Sequence, residues 1–389
     1  MRILVINSRD VERIDSGGAR TLVQTIVYLS EKEDCELYTN FKILGEDGIQ
    51  YKYCGGIVKN ETILHDFLVK ESIDVVLIGE ARIYTSFVRR SIRGGKTKII
   101  SELHNMPGYE RIGIMTLLID SLKYNDSYIK RIRALILILF FPLLYLAYTG
   151  KYFCIFRQAY IKTDKLVLLS EKFFKEYKRK YLIHDDSKFA AIGNALSFDT
   201  FATEDDIQTK KNQLLVVTRF AEQSKRVSLI LKTWERIYTK YPEWELILVG
   251  FGRSERQYRG YVDKHKLPRV RFEGKQKPEN YYREAPIFLM TSAYEGWGMT
   301  LTEAHQMGCV PVAMNSYSSL SDIIIDGENG IITPNNDLNI FCEKVEWLMT
   351  HQDERVQMAR FAIESSKRFE RNIISEKKYQ LIKEMVLRG

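Results

Sequence analysis

What constrains this chain most is a rhythm. Short, unbroken apolar runs alternate with stretches of helical period almost from end to end. In the first half the runs are residues 2–6, 74–78, 97–100 and 165–169, with helices expected over 19–30 and 171–181. In the second half they are 214–218, 245–249, 287–290 and 310–313, with helices over 227–240 and 300–307. A run of Val, Ile and Leu without polar alternation suits a strand buried on both faces, and such strands belong to parallel sheets covered by helices. Between the two series lies a polar stretch, 196–212, without apolar period. Over 389 residues this predicts two doubly wound, Rossmann-like α/β domains rather than one core. The last stretch, 353–388, reads as two charged amphipathic helices.

The charge is as unevenly distributed as the runs are regular. The net charge is +8, yet residues 123–180 hold 13 Lys/Arg against 4 Asp/Glu, so the rest of the chain is close to neutral. That segment also contains the longest apolar run, 134–150, ALILILFFPLLYLAYTG. As a helix it is about 25 Å long, short of the ~30 Å hydrocarbon core of a bilayer. Pro142 interrupts it, Lys130, Arg131 and Arg133 precede it, and Lys151 and Arg157 follow it. Two readings of segment 130–157 stand at this stage: peripheral contact with an anionic membrane, or a buried helix of the first domain. No Arg-rich tail or aromatic RNA-binding pattern accompanies the charge, so no nucleic-acid partner is expected. The 5 cysteines and 6 histidines are scattered, which excludes a disulfide framework and a thiolate zinc site. The N-terminus opens directly as a strand without a signal-like segment, and a cytoplasmic protein is expected.

Four windows carry chemistry. In TSAYEGWGMTLTEAHQMGCVPVA, 291–313, a strand ends in the turn Gly296-Trp297-Gly298 and a helix opens around Thr300. Glycines at such a turn let a ligand approach the backbone, and free helix N–H groups face an anion. Glu295 lies before the turn and Glu303 one turn into the helix, where a carboxylate can accept two hydrogen bonds from a vicinal diol. An N-terminal carboxylate favoured by the helix dipole explains Glu303 equally well. In LLVVTRFAEQSKR, 214–226, Arg219 leaves a strand end and Lys225 follows six residues later, where an α/β domain binds phosphates. Two solvated surface cations would look the same. Gly250 and Gly252 follow the next strand, without the third glycine of a dinucleotide fingerprint. In the first domain, Ser16-Gly17-Gly18-Ala19 opens a helix, and His104 stands just past an apolar run; a lone histidine is more often structural.

Together these windows resemble the family 4 retaining glycosyltransferases of the GT-B fold. Glu295 and Glu303 meet the family's E-x7-E pattern with TEAHQMGCVPV following, and Arg219 with Lys225 match its basic pair. Gly17-Gly18-Ala19 match its glycine loop, and His104 its first-domain histidine. Thr218 and Gly193 depart from the family's usual glycine and proline. The resemblance implies two Rossmann-like domains facing a central cleft: 1–196 for the acceptor, 197–366 for the nucleotide sugar, and a helix in 367–389 packing back on the first. It implies a nucleotide-diphosphate sugar donor, with UDP and a hexose or N-acetylhexosamine the default. Glu303 would hold the ribose. Glu295 and the backbone at Gly298 and Met299 would hold the sugar, and Arg219 and Lys225 the diphosphate. Further donor contacts would come from Gly17, Gly18, Gly250 and Thr300, while His104 would shape the acceptor or touch the sugar. No metal or other cofactor is expected. The acceptor would be a glycan or a lipid-linked glycan of bacterial surface polysaccharide or lipopolysaccharide, met at the inner face of the cytoplasmic membrane. A nucleotide-sugar epimerase and a non-catalytic partner protein on the same fold are the alternatives.

Overall fold

The computed structural model describes residues 1–12, 17–44, 48–110 and 128–387. Ser16 and Arg388 lie outside the described residues, as do the side chains of Lys130, Arg131 and Arg133. The chain divides into two compact units, 1–195 with 369–389, and 196–368.

The first unit opens with β1 (Arg2–Ile6), a short β2 (Val11–Glu12), α1 (Gly17–Ser30), β3 (Glu36–Thr39), β4 (Ile43–Leu44) and β5 (Lys52–Tyr53). It continues through α2 (Glu61–Lys70), β6 (Val75–Ile78), α3 (Ala81–Ile92) and β7 (Lys98–Leu103). After the undescribed stretch come α4 (Tyr128–Leu139), α5 (Phe141–Lys162), β8 (Lys165–Leu168), α6 (Lys172–Tyr181) and β9 (Phe189–Ala191). Seven strands form one sheet in the order β5-β3-β1-β6-β7-β8-β9. Neighbours pair in parallel throughout. Ile3 to Ile6 and Val75 to Ile78 are at most 1% exposed, as expected of strands covered on both faces.

In the second unit the expected linker contains a helix, α7 (Glu204–Gln208). Thr203 and Asp206 form a capping box at its start, and its Ile207 is buried. One short helix thus settles where the apolar period was too brief to read. There follow β10 (Gln213–Val217), α8 (Glu222–Lys225), α9 (Val227–Ile237), β11 (Glu245–Val249), α10 (Glu255–His265), β12 (Val270–Gly274), α11 (Glu279–Glu284) and β13 (Ile287–Met290). The unit ends with α12 (Met299–Gln306), β14 (Val310–Asn315), α13 (Leu320–Ile323), β15 (Ile331–Pro334), α14 (Leu338–Thr350) and α15 (Gln352–Ser366). Its sheet, β12-β11-β10-β13-β14-β15, is parallel with a reversal of winding between β10 and β13. Such a reversal opens a crevice at the carboxyl ends of the two flanking strands. Apolar side chains of β10, β11, β13 and β14 meet Trp234, Tyr258 and Phe341 from the covering helices.

The final helix, α16 (Arg371–Leu387), returns to the first unit and packs on α1, where the Tyr379 hydroxyl donates to Asp34 at 2.9 Å.

Candidate functional site

In the second unit the candidate residues gather at the carboxyl ends of β10 and β13, on either side of the winding reversal. Past β10, Arg219 is exposed. The following turn is held by backbone bonds from Phe220 N–H to the Phe251 carbonyl (2.8 Å) and from Thr218 N–H to the Val249 carbonyl (3.0 Å). Gly250 has φ +144°, and a Cβ there would stand 1.8 Å from the Thr218 carbonyl oxygen. Only glycine lets the β11 loop lie this close beside the turn carrying Arg219.

Lys225 closes α8, and its ammonium pairs with Glu295 Oε1, with 19% and 16% of the two side chains exposed. Ser292 Oγ donates to the same carboxylate oxygen at 2.7 Å. A backbone bond from Ala293 N–H to the Ser224 carbonyl (2.7 Å) and the Thr291 hydroxyl, shared between the carbonyls of Lys225 and Arg226 (both 3.0 Å), hold the pair's supports together. Arg226 adds a clamp, donating to the carbonyls of Thr291 (2.6 Å) and Ser292 (2.8 Å) and to Asn335 Oδ1 (2.9 Å). Burial pushes its guanidinium down from the usual arginine range.

Gly298 caps α12 with φ +99°, and a Cβ on it would meet the Tyr317 hydroxyl at 2.8 Å. Met299 and Thr300 open the helix half-buried. Glu303 is 5% exposed, accepting from Ser197 Oγ at 2.6 Å and from the Tyr282 hydroxyl at 3.2 Å. The start of the unit is laced to this helix: Gln306 Nε2 donates to the carbonyls of Phe198 and Thr200, both at 3.0 Å. Lys210 Nζ lies within hydrogen-bond distance of four carbonyls, which share its three N–H donors: those of Tyr282 (3.0 Å), Arg283 (2.9 Å), Ala285 (3.1 Å) and Met307 (2.9 Å), so one side chain closes the ends of α11 and α12.

In the first unit, Gly17 and Gly18 open α1, and a Cβ on Gly18 would lie 3.1 Å from the His104 ring. The His104 side chain is 19% exposed, with Nε2 at 3.3 Å from Glu102 Oε2. Glu102 Oε1 in turn stands 2.6 Å from Lys378 Nζ, on side chains 2% and 5% exposed. Burial alone would push the Glu102 carboxyl up, but the Lys378 ammonium and His104 outweigh it and bring it to about 2. His104 therefore lies, partly exposed, against a sealed Glu102–Lys378 ion pair anchored by α16.

Comparison with known proteins follows the same division. Residues 197–365 match the family model for glycosyl transferases group 1. That match falls within the second unit. An uncharacterized glycosyltransferase of Methanocaldococcus jannaschii is 26% identical over 224 residues, covering 57% of this chain and 59% of the relative. The amylovoran biosynthesis glycosyltransferase AmsD of Erwinia amylovora is 25% identical over 202 residues, covering 51% and 55%. The match thus spans little more than half the length of these relatives. Among solved structures, Anabaena HepE in complex with UDP and glucose aligns at TM-score 0.70 and 14% identity, over 99% of this chain and 100% of that one. The lipopolysaccharide outer core galactosyltransferase WaaB, apo form, aligns at TM-score 0.65 and 17% identity, over 98% and 99%. The fold is GT-B, with two parallel-sheet Rossmann-like units.

Five residues around the site escape a sequence reading: Ser197, Tyr282, Arg226, Gln306 and Lys210. Each acts through a partner distant in the chain, and a Ser or Tyr alone carries no signal. Arg226 did have one, since it adjoins Lys225 at the opening of a helix.

Proposed function

We propose that the protein is a retaining glycosyltransferase that moves a sugar from a nucleotide-diphosphate sugar to a glycan or lipid-linked acceptor in bacterial surface polysaccharide synthesis. The observation that carries this reading is the arrangement at the β10–β13 reversal. A cation, a carboxylate and a glycine-opened helix N-terminus stand at the two strand ends where a doubly wound sheet receives phosphates. The family match of the second unit and the polysaccharide setting named for AmsD support it. UDP with a hexose or N-acetylhexosamine is the proposed donor, supported by HepE, whose structure holds UDP and glucose.

In this reading Glu303 accepts from the ribose hydroxyls, trading the Ser197 and Tyr282 contacts that hold its carboxylate ready. Glu295 and the N–H groups at Gly298 and Met299 hold the sugar. Arg219 and Lys225 stabilise the diphosphate as the bond from the anomeric carbon to its oxygen breaks. Their positive charge is most valuable in the transition state, where the leaving oxygen gains negative charge. The acceptor hydroxyl attacks the same face of the sugar, and its proton passes to the departing phosphate oxygen, so no protein base is needed. The two cations serve where other transferases use a divalent metal. Gly17 and Gly18 are assigned to the donor and His104 to the acceptor or the donor sugar, and the place of work is the inner face of the cytoplasmic membrane.

The test is a panel of nucleotide sugars, with release of the nucleoside diphosphate as readout and EDTA as one arm. Turnover of a UDP-sugar that survives EDTA supports the reading. Thermal stabilisation by UDP without turnover of any donor and acceptor would assign the fold to a non-catalytic partner instead.

A further inference from the structure

The helices α4 and α5 leave their apolar surface uncovered. Leu135, Ile136, Leu139, Phe140, Leu143, Leu144 and Leu146 are between 41% and 76% exposed. Among the described residues, the buried side chains of α5 lie in its C-terminal half: Phe156, Ala159 and Tyr160, of which Phe156 and Tyr160 meet Tyr177 of α6. The sequence left open whether residues 130–157 touch a membrane or form a buried helix; the described side chains between 135 and 146 are mostly exposed, whereas Phe156 is buried in the first unit. A patch of this kind on a soluble protein marks a contact surface.

Among the described residues, no helix is long and apolar enough to cross a membrane. α4 and α5 meet at Phe140, with Pro142 in the first turn of α5, so the apolar run is broken into two pieces. Tyr128 is 79% exposed at the start of α4, and Tyr145, Tyr148 and Tyr152 lie half-buried along α5; such rings favour the interface between lipid and water. The basic charge is close by. α6, packed on α5, turns Phe173, Tyr177 and Tyr181 inward and leaves Lys172, Lys175 and Arg179 exposed. Lys151 on α5 is exposed as well, and Lys130, Arg131 and Arg133 stand in the sequence of α4.

We infer that the exposed apolar surface of α4 and the first half of α5 inserts into the outer boundary of an anionic bilayer, with the basic residues of α5 and α6 held at its headgroups. This deepens the proposed function, since it rests on a lipid-linked acceptor and names the surface that would meet it. A second copy of the chain is the poorer occupant. A two-fold contact would bring the net charge of +9 in residues 123–180 against itself, whereas an anionic surface compensates that charge.

The experiment is flotation of the full chain with vesicles of phosphatidylglycerol and phosphatidylethanolamine in equal parts, beside vesicles of phosphatidylcholine alone. Wild type is expected to float with the anionic vesicles, less so at high salt, and weakly with phosphatidylcholine. Leu139→Glu with Leu143→Glu should lower the bound fraction about tenfold or more, since two apolar contacts are exchanged for buried charge. If that variant fails to fold, Lys172→Glu with Lys175→Glu and Arg179→Glu replaces it, with the same expected loss on anionic vesicles. Wild type staying at the bottom with every vesicle overturns the inference, as does a variant that floats equally well. So does a wild-type dimer that the leucine changes dissociate. The UDP-induced rise in melting temperature is read in parallel: lost flotation with that rise intact strikes the membrane surface alone, and loss of the rise in wild type strikes the proposed function.

Discussion

Two lysine–glutamate pairs, one in each unit, show how burial changes what the same chemistry can do. Lys225–Glu295 keeps 19% and 16% of its side chains exposed, and Lys378–Glu102 only 5% and 2%. The first pair sits at a glycine-opened turn where solvent, or a ligand, can replace either partner. Breaking it leaves a charge that solvent can still reach and that Ser292 still bonds, so it costs less than breaking the second. The second has no such exchange: removing one member strands a full charge in the interior. The open pair is suited to a reaction in which charge moves, and the sealed pair to holding α16 against β7 and His104.

Breaking the sealed pair should produce the largest effect. Lys378→Met leaves the buried Glu102 carboxylate without its ammonium, with the His104 ring still beside it, and is expected to cost about 3–5 kcal/mol of stability, read by denaturant unfolding. Adding Glu102→Leu should restore most of the loss, because an apolar pair replaces an orphan charge. A single variant that unfolds like wild type would mean that water reaches Glu102.

Breaking the open pair should reverse the pattern. Lys225→Ala is expected to lower turnover about 10²–10³-fold, the usual result of removing one donor to a developing anion, with stability changed by less than about 1 kcal/mol. Arg219→Ala should act in the same direction. A rise in Michaelis constant at unchanged turnover would make both cations ground-state binders only.

The two pairs were not equally legible. Lys225 and Glu295 stand beside buried parallel strands, and β10, β11, β13 and β14 are readable because double-sided burial confines polar residues to the ends of the run. The half-exposed β12 (Val270–Gly274), VRFEG, escapes the same test because its pattern is mixed. Lys378 did leave a trace. It lies four residues after Ile374 and four before Ile382, both buried, so it is a charge placed in the apolar stripe of α16. Such a residue needs a buried counter-charge, but only the fold reveals that Glu102 supplies it. Glu303 was legible by motif, whereas Ser197 and Tyr282, its partners, become visible only when the chain has folded.

Glu303 tests the middle ground, a carboxylate that is buried and yet proposed for a ligand. Glu303→Ala should weaken donor binding by about 1.5–3 kcal/mol per charge-assisted bond lost. Calorimetric titration with UDP measures it. Unchanged affinity in a folded variant would assign Glu303 to the Ser197–Tyr282 contacts alone.

The smallest effect separates the units by pH. His305, on α12 two residues beyond Glu303, is fully buried, and burial pushes its imidazole down to about 3. Its folded value lies below the unfolded 6.5, so the unfolded chain binds the proton first and stability falls as pH drops below 6.5. Glu102 behaves differently: with its folded value at about 2 against 4.5 unfolded, its contribution stays intact down to 4.5 and is lost only below that. Between these limits only the second unit should feel the change from these two groups. At pH 5.5, taken as about one unit below the unfolded histidine value, wild type should lose about 1.4 kcal/mol that His305→Gln does not lose. Denaturant unfolding of both proteins at pH 7.5 and about pH 5.5 gives the difference. Equal losses would mean that protonated His305 finds a partner inside α12's packing, and the acid sensitivity of the second unit would then have to come from elsewhere.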